Sequence, residues 1–476
     1  VTALEVVADE RDPTAEAIET RDRLLRKLRV QRRLGMAMLA WYEGRQDPPA
    51  VISRYRDAYR LLLDMSTTPW ARLVVDTIVE RLEVQGYQAG TPDQEQADAA
   101  WTLLQASEID ADQRLVYLDA LLTGVGYVSL NPAAGEGELP RIAVESSMEV
   151  VHEPALGNRR RTAAALKLFP ADWTGDDWLA ELYTPTETRR WYADLGDRSL
   201  DEGESPVDGD KGIDELRWED DDGAPAGNDY GVVPVVPFEN RQTVLGGGTS
   251  ELADLVPILM RIDKLTLDSL LTSEFSSFRQ RWATGLEVPR DPESGKPVEP
   301  FKSAVDRLWI SESDKTTFGS FEQTDIAGYL KAIEAQIAAL AAISRVPSHY
   351  LLQQNLANPP SAESLVASES GLVAKVRERQ RSFGEAWELA VRIGFRMQDR
   401  TEWADDVKSQ VIWRDAELRN PAQVADAAVK LQTIGVPQEA LWAYIGATPQ
   451  EIEAWKVQAA TAALLAPPPP PPTPGG

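Results

Sequence analysis

Apolar positions in this chain recur mostly at intervals of three, four and seven, the spacing of helices that bury one side. The longest such run extends from Thr249 to Trp282. There Leu252, Leu255, Val256, Leu259, Ile262, Leu270, Leu271, Phe275, Phe278 and Trp282 fall largely along one stripe. Thr249 and Ser250 are candidate caps, and Pro257 marks either a kink or the true helical start. A helix of that span is about 50 Å long, far more than a globular helix ordinarily needs. It must lean on something equally long, in its own chain or in neighbouring copies. Its other face carries Asp254, Arg261, Asp268 and Glu274. A compact segment of turns and short strands follows at 286–322, including DRLWIS at 306–311. An Ala-rich helix then returns over 325–344.

The same periodicity predicts helices over 13–42, around 55–63, over 66–87, 93–123 and 361–394. Three short ones follow at 421–434, 437–445 and 449–465, anchored by Trp442 and Trp455. Thr68 before Pro69 is an N-cap followed by proline at the first helical position, and Trp70, Leu73, Val74, Ile78 and Leu82 form the buried stripe after it. Between 139 and 240 the pattern turns β-rich: RIAVES, VVHE, AALKLF and LAELYTPTETRRWYA read as strands, and VVPVVPFEN closes the region. GVGYVSLNP at 124–132 reads as a glycine turn and strand, and VKSQVIWRD at 407–415 as another strand. A polar, acidic insert occupies 194–229. Gly246, Gly247 and Gly248 are read as a flexible hinge, because no Lys-Ser/Thr follows to make a phosphate loop.

Composition removes several kinds of chemistry. Among 476 residues there is no cysteine and only two histidines, His152 and His349, so disulfides and Cys- or His-cluster metal sites are excluded. No run of eighteen apolar residues exists, and the first residues show neither a basic lead nor an apolar core, so no membrane span or signal peptide is expected. The formal charge of -27 argues against tight, generic DNA binding. Basic residues nonetheless crowd Arg21 to Arg33, either a solvated helix face or an interface or nucleic-acid patch. Asp208, Asp210 and Gly212 lack the register of a calcium loop. Glu363 and Glu369 stand six apart on poorly matched faces, a weak arrangement for a catalytic pair. The end, PPPPPPTPGG, is read as an exposed, polyproline-like tail.

Several longer segments resemble one family. TPWARLVVDTIVERLEVQGY at 68–87, GVGYVSLNP at 124–132 and VVPVVPFENR leading into the long helix are similar to bacteriophage portal proteins of the SPP1 type, especially those of phages infecting actinobacteria. The likeness continues in RVPSHYLLQQNLANPPSAESLVASESGLVAKV at 345–376 and in IWRDAELRNPAQVADAAVKLQTIGVP and LWAYIGATPQEIEAWK within 412–456. The resemblance implies an α+β portal fold assembling as a ring, typically of twelve. It implies an N-terminal wing over 1–245, an outgoing stem helix over 249–282 and a clip over 284–322. A returning stem helix would take 323–344, a tunnel loop and long wing helix 345–411, a helical crown 412–465, and a disordered tail 466–476.

The resemblance further implies a non-enzymatic channel for packaging and ejecting double-stranded DNA, in the virion and, during assembly, in the host cytoplasm. Its implied partners are further copies of the chain, DNA bound without sequence specificity, the terminase large subunit, the major capsid and scaffolding proteins, and a head-completion adaptor. No membrane, catalytic residue, metal or cofactor is implied. Lys331 and Arg345 are candidates to guide DNA by position. The insert and the Pro359-Pro360 pair depart from the family pattern. Competing readings are another connector of the capsid vertex and a carboxylate-based hydrolase, which would need acidic residues converging in a pocket.

Overall fold

A computed structural model describes residues 13–49, 57, 59–91, 93–135, 137–172, 177–194, 204–208, 216–218, 225–244, 246–277, 281–285, 315–320, 326–352, 361–417, 421–447 and 449–465. In chain order the elements begin with helices α1 (Pro13–Glu43), α2 (Arg60–Ser66) and α3 (Trp70–Val79), strand β1 (Val84–Gln88), and helices α4 (Gln94–Ala106) and α5 (Ile109–Thr123). Strands β2 (Val125–Asn131), β3 (Arg141–Glu145), β4 (Val150–Ala155), β5 (Asn158–Pro170), β6 (Asp177–Tyr183) and β7 (Glu187–Asp194) come next. Two short strands, β8 (Arg217–Trp218) and β9 (Ala226–Gly227), precede β10 (Val235–Glu239). Then come α6 (Val256–Ser277), β11 (Arg281–Thr284), β12 (Thr317–Ser320), α7 (Ala327–Ser344) and α8 (Ser348–Leu351). The remainder is α9 (Ala362–Met397), α10 (Thr401–Ala404), β13 (Gln410–Trp413), α11 (Pro421–Thr433), α12 (Gln438–Tyr444) and α13 (Pro449–Leu465). The chain divides into two units, one of Val1–Glu43, Ala71–Asp254 and Ala357–Gly476, the other of Gly44–Trp70 and Leu255–Leu356.

In the first unit, α1 lies on an antiparallel sheet of order β4-β5-β6-β7-β8, with β9 also paired to β7. Leu24, Leu25 and Leu28 are buried against Val151, Leu166 and Leu168, as the apolar spacing of 13–42 requires. Arg21 is buried too; its guanidinium stacks over Trp218 at 4.1 Å and Trp191 at 5.1 Å, and Asp22 neutralises it. The segment LAELYTPTETRRWYA is two strands rather than one. Thr184 takes the backbone N–H of Glu187 on its hydroxyl at 3.0 Å, making a turn in which β6 reverses into β7.

A second sheet, β10-β2-β3, is covered by α5 and α9, and an aromatic knot joins them. Trp387 of α9 donates its indole N–H to the Tyr117 hydroxyl at 2.7 Å, and Phe238 and Phe383 pack against the same ring. Ser361 caps α9 by accepting the Ser364 N–H at 3.2 Å. Three expected helices are shorter than read, the long one of 249–282 among them, which spans Val256–Ser277. The helix of 66–87 stops at Val79, because Val84–Gln88 pairs with Gln410–Trp413 as a two-stranded ribbon. The helix of 93–123 breaks at Glu108, which takes a left-handed backbone (φ 58), while the Ser107 hydroxyl receives the Ile142 N–H.

The glycine run before the long helix is not a hinge. Gly246 and Gly247 adopt φ of 97° and 78°, and Gly248 packs so closely that a Cβ there would sit 1.8 Å from the carbonyl oxygen of Gly124. Asn240 ties the same place, donating its amide to the Thr249 carbonyl at 2.7 Å. The run is glycine because of a turn and a close backbone approach.

In the second unit, α6 packs on α7 and on α2, and β11 pairs antiparallel with β12. The long helix begins at Val256, so Pro257 marks its first turn, and residues 250–255 are turn. It runs 22 residues, about 33 Å. Its buried positions are Ile258, Leu259, Ile262, Asp263 and Leu267, with Leu270 and Leu271 half-buried. DRLWIS, the 353–360 part of the expected tunnel loop, Asp210, Gly212 and the polyproline end lie outside the described residues.

Candidate assembly surface

The second unit carries exposed apolar side chains on three of its helices, α2, α6 and α7. Arg60–Ser66 reads RLLLDMS, and a seven-residue helix cannot bury Leu61, Leu62, Leu63 and Met65 together. Leu63 goes inside at 3% exposure, whereas Leu61 and Met65, one turn apart, stand 72% and 56% exposed. On α6 Met260 is 57% exposed, and on α7 Leu330 and Ile343 are each 54% exposed. The remaining outer positions of α7 are small or charged: Ala327, Lys331, Glu334, Ala338 and Ala342 share one face. Scattered apolar side chains are normal on a protein surface. Leu61 and Met65 make a pair on α2, whereas Leu330 and Ile343, thirteen residues apart, face different ways on α7; α6 packs on both helices.

The frame under this surface is polar and specific. Asp263, 2% exposed, accepts the Gln46 side-chain N–H at 2.8 Å and the backbone N–H of Thr68. It thereby fastens the segment before α3 to the middle of α6. Desolvation raises its carboxyl to about 6, and the two hydrogen bonds oppose that rise. The Gln46 amide oxygen is buried and accepts no hydrogen bond among the described residues. Across α6 and α7, Arg261 donates to the Gln336 side chain at 2.8 Å, and Lys264 pairs with Asp268 one turn on.

The sequence-derived candidates are placed as follows. Leu255 and Leu259, the heart of the predicted stripe, are each 2% exposed within a single chain, so they are interior rather than free for a neighbour. Lys331 and Arg345 are both exposed on or just after α7, about 21 Å apart along it. Arg345 closes that helix with a left-handed backbone (φ 60). Asp254 is tied to Arg241 at 2.6 Å. Glu369 accepts a hydrogen bond from buried Arg81 at 3.2 Å, a structural tie, and the Glu363 side chain lies outside the described residues. Asp208 is held by Arg32 at 2.8 Å. His152 is buried, with Nδ1 3.0 Å from the Tyr127 hydroxyl; desolvation lowers it to about 3, so it stays neutral. Among the described residues there is no cluster of metal-ligating side chains, and no helix is long and apolar enough to cross a membrane. Sequence reading missed Leu61, Met65 and the Gln46–Asp263 tie; the crowding of four apolar residues into RLLLDMS was the available signal for the first two.

Comparison with known proteins gives this architecture its class. The family described as phage portal protein, SPP1 Gp6-like, matches residues 29–463. The chain belongs to that family, and it is a phage portal protein, a component of the virion. It is 27% identical over 470 residues to the portal protein of Mycobacterium phage D29, covering 94% of this chain and 90% of the relative. It is 28% identical over 418 residues to that of Mycobacterium phage L5, covering 84% and 79%. Among solved structures it is similar to a chain of the neck of a native GTA particle computed with C12 symmetry, at a TM-score of 0.41 and 10% identity, covering 87% of this chain and 99% of the other. A chain of the native gene transfer agent virion matches at a TM-score of 0.41 and 11% identity, over 83% and 93%. Likenesses that slight assign nothing by themselves.

Proposed function

We propose that this portal protein assembles into a closed ring, of twelve copies by analogy with its family, and forms the channel through which double-stranded DNA is packaged and ejected. Membership of the portal family over 29–463 carries the reading. In it, the stem comprises α6 and α7, the clip lies between them over 284–322, the crown is 412–465, and the wing is built from the N-terminal region to about 245 and from α9. The exposed apolar side chains of α2, α6 and α7 meet the neighbouring subunit. The terminase large subunit, the head-completion adaptor, and the major capsid and scaffolding proteins dock on the ring, which performs no chemistry of its own.

The charge balance supports a channel that lets DNA slide. Each neutralised phosphate adds to the grip on a duplex, so a protein of net charge -27 holds it loosely. Lys331 and Arg345 supply local guidance. Because the chain has no cysteine, Val407→Cys, at a position 75% exposed, gives one labelling site. Gold attached there is expected to mark a single vertex of each assembled head; label scattered over the shell, or absent from it, overturns the proposal.

A further inference from the structure

Helix α1 has two faces, and only one is used by the fold. Its inner side is fixed in rotation by polar bonds to the sheet below. Lys27 Nζ donates to the His152 carbonyl at 2.5 Å, and Gln31 donates to the Ser147 and Val150 carbonyls at 2.6 and 2.8 Å. Arg32 reaches the Met148 carbonyl at 2.7 Å and the Asp208 carboxylate at 2.8 Å. With Leu24, Leu25 and Leu28 buried beneath, the outer side is a rigid, preset surface.

That outer side carries Arg26, Val30, Arg33, Leu34 and Ala37, at spacings that set them on one face over about three turns. Val30 is 49% and Leu34 54% exposed. Arg23, at the edge of the face, is paired with Glu153 at 2.9 Å. Arg26 and Arg33, by contrast, make no ion pair among the described residues. Charged side chains on a helix this exposed need no apolar company, and the core has no use for Val30 or Leu34 here. Arginines flanking a half-exposed apolar strip are the complement of a helix with an apolar strip flanked by carboxylates.

We infer that the outer face of α1 docks an acidic amphipathic helix of a partner protein. Two charges in an acidic chain are few for a phosphate backbone, and DNA gains nothing from the strip between them. An acidic helix uses both features: its apolar residues bury Val30, Leu34 and Ala37, and its carboxylates pair with Arg26 and Arg33.

The test uses the full chain and a fluorescent synthetic helix with leucines at i, i+3, i+4 and i+7 flanked by glutamates. A scrambled peptide of the same composition and a labelled DNA duplex serve as the other probes. The amphipathic peptide is expected to bind at least about tenfold more tightly than the scrambled one. Arg26→Glu with Arg33→Glu should remove that preference, as should Val30→Ser with Leu34→Ser, while Arg33→Lys retains it. Thermal melting confirms that the variants fold. Equal binding of both peptides overturns the inference. So does binding that the charge reversals leave unchanged, a preference for DNA that depends on Arg26 and Arg33, or loss of self-association in the reversed variant showing that a second copy occupies the face.

Discussion

Two buried carboxylates carry opposite pH signatures. Asp263 is raised to about 6, so its native form holds its proton more tightly than the unfolded chain does. Its contribution is present below about pH 4 and lost as pH rises through 6, a change of about 3 kcal/mol. Asp263→Asn should therefore remove the decline in stability between about pH 4 and 7 and be more stable than the parent above it, read by denaturant midpoints across pH. The same slope in both proteins would contradict this. Glu251 behaves the other way. Although burial raises its carboxyl, Lys375 and Arg379, the latter at 3.2 Å, lower it below the ordinary carboxylate value. Its stabilisation is present above the ordinary value and lost as pH falls through the lowered one. Glu251→Gln leaves two cations in the interior and should cost about 3–5 kcal/mol. A loss under 1 kcal/mol would show the triad to be solvated.

At the scale of elements, periodicity conveyed more than boundaries did. Helices α1 and α9 match their expected spans to within a few residues, because each has a continuous apolar face. The failures share a cause: partners distant in sequence decided them. Residues 84–88 become strand only because 410–413 pairs there, and Ser107 breaks a helix that local pattern would continue. Gly248 looked like a hinge because Gly124, which it touches, lies far away in the sequence. The long helix teaches the same lesson. Its stripe was legible, but Leu255 and Leu259 are satisfied within the chain. Replacing Leu259 with Asp should thus unfold the second unit at a cost of about 3 kcal/mol or more. Leu61→Asp with Met260→Asp, at exposed sites, should leave circular dichroism and the melting temperature nearly unchanged while blocking self-association. Assembly that survives this pair would show that another surface joins the subunits.

For the whole molecule, the order of elements was readable and the surfaces were not. A long apolar helix, an excursion and an Ala-rich return announce themselves in the sequence, and the family match over 29–463 gives that order its class. Which side of α2, α6 or α7 remains open depends on packing that no local pattern encodes. Net charge of -27 and the exposed apolar side chains of the second unit support the proposal that copies join through apolar helix faces around a path that does not hold DNA tightly. Native mass spectrometry of the purified full chain, with electron imaging of the same sample, tests it most directly. The account predicts one dominant species near twelve times 52.5 kDa, seen end-on as a closed ring with a central opening. A single 52.5 kDa species that persists at every concentration and in material released from assembled heads would contradict it.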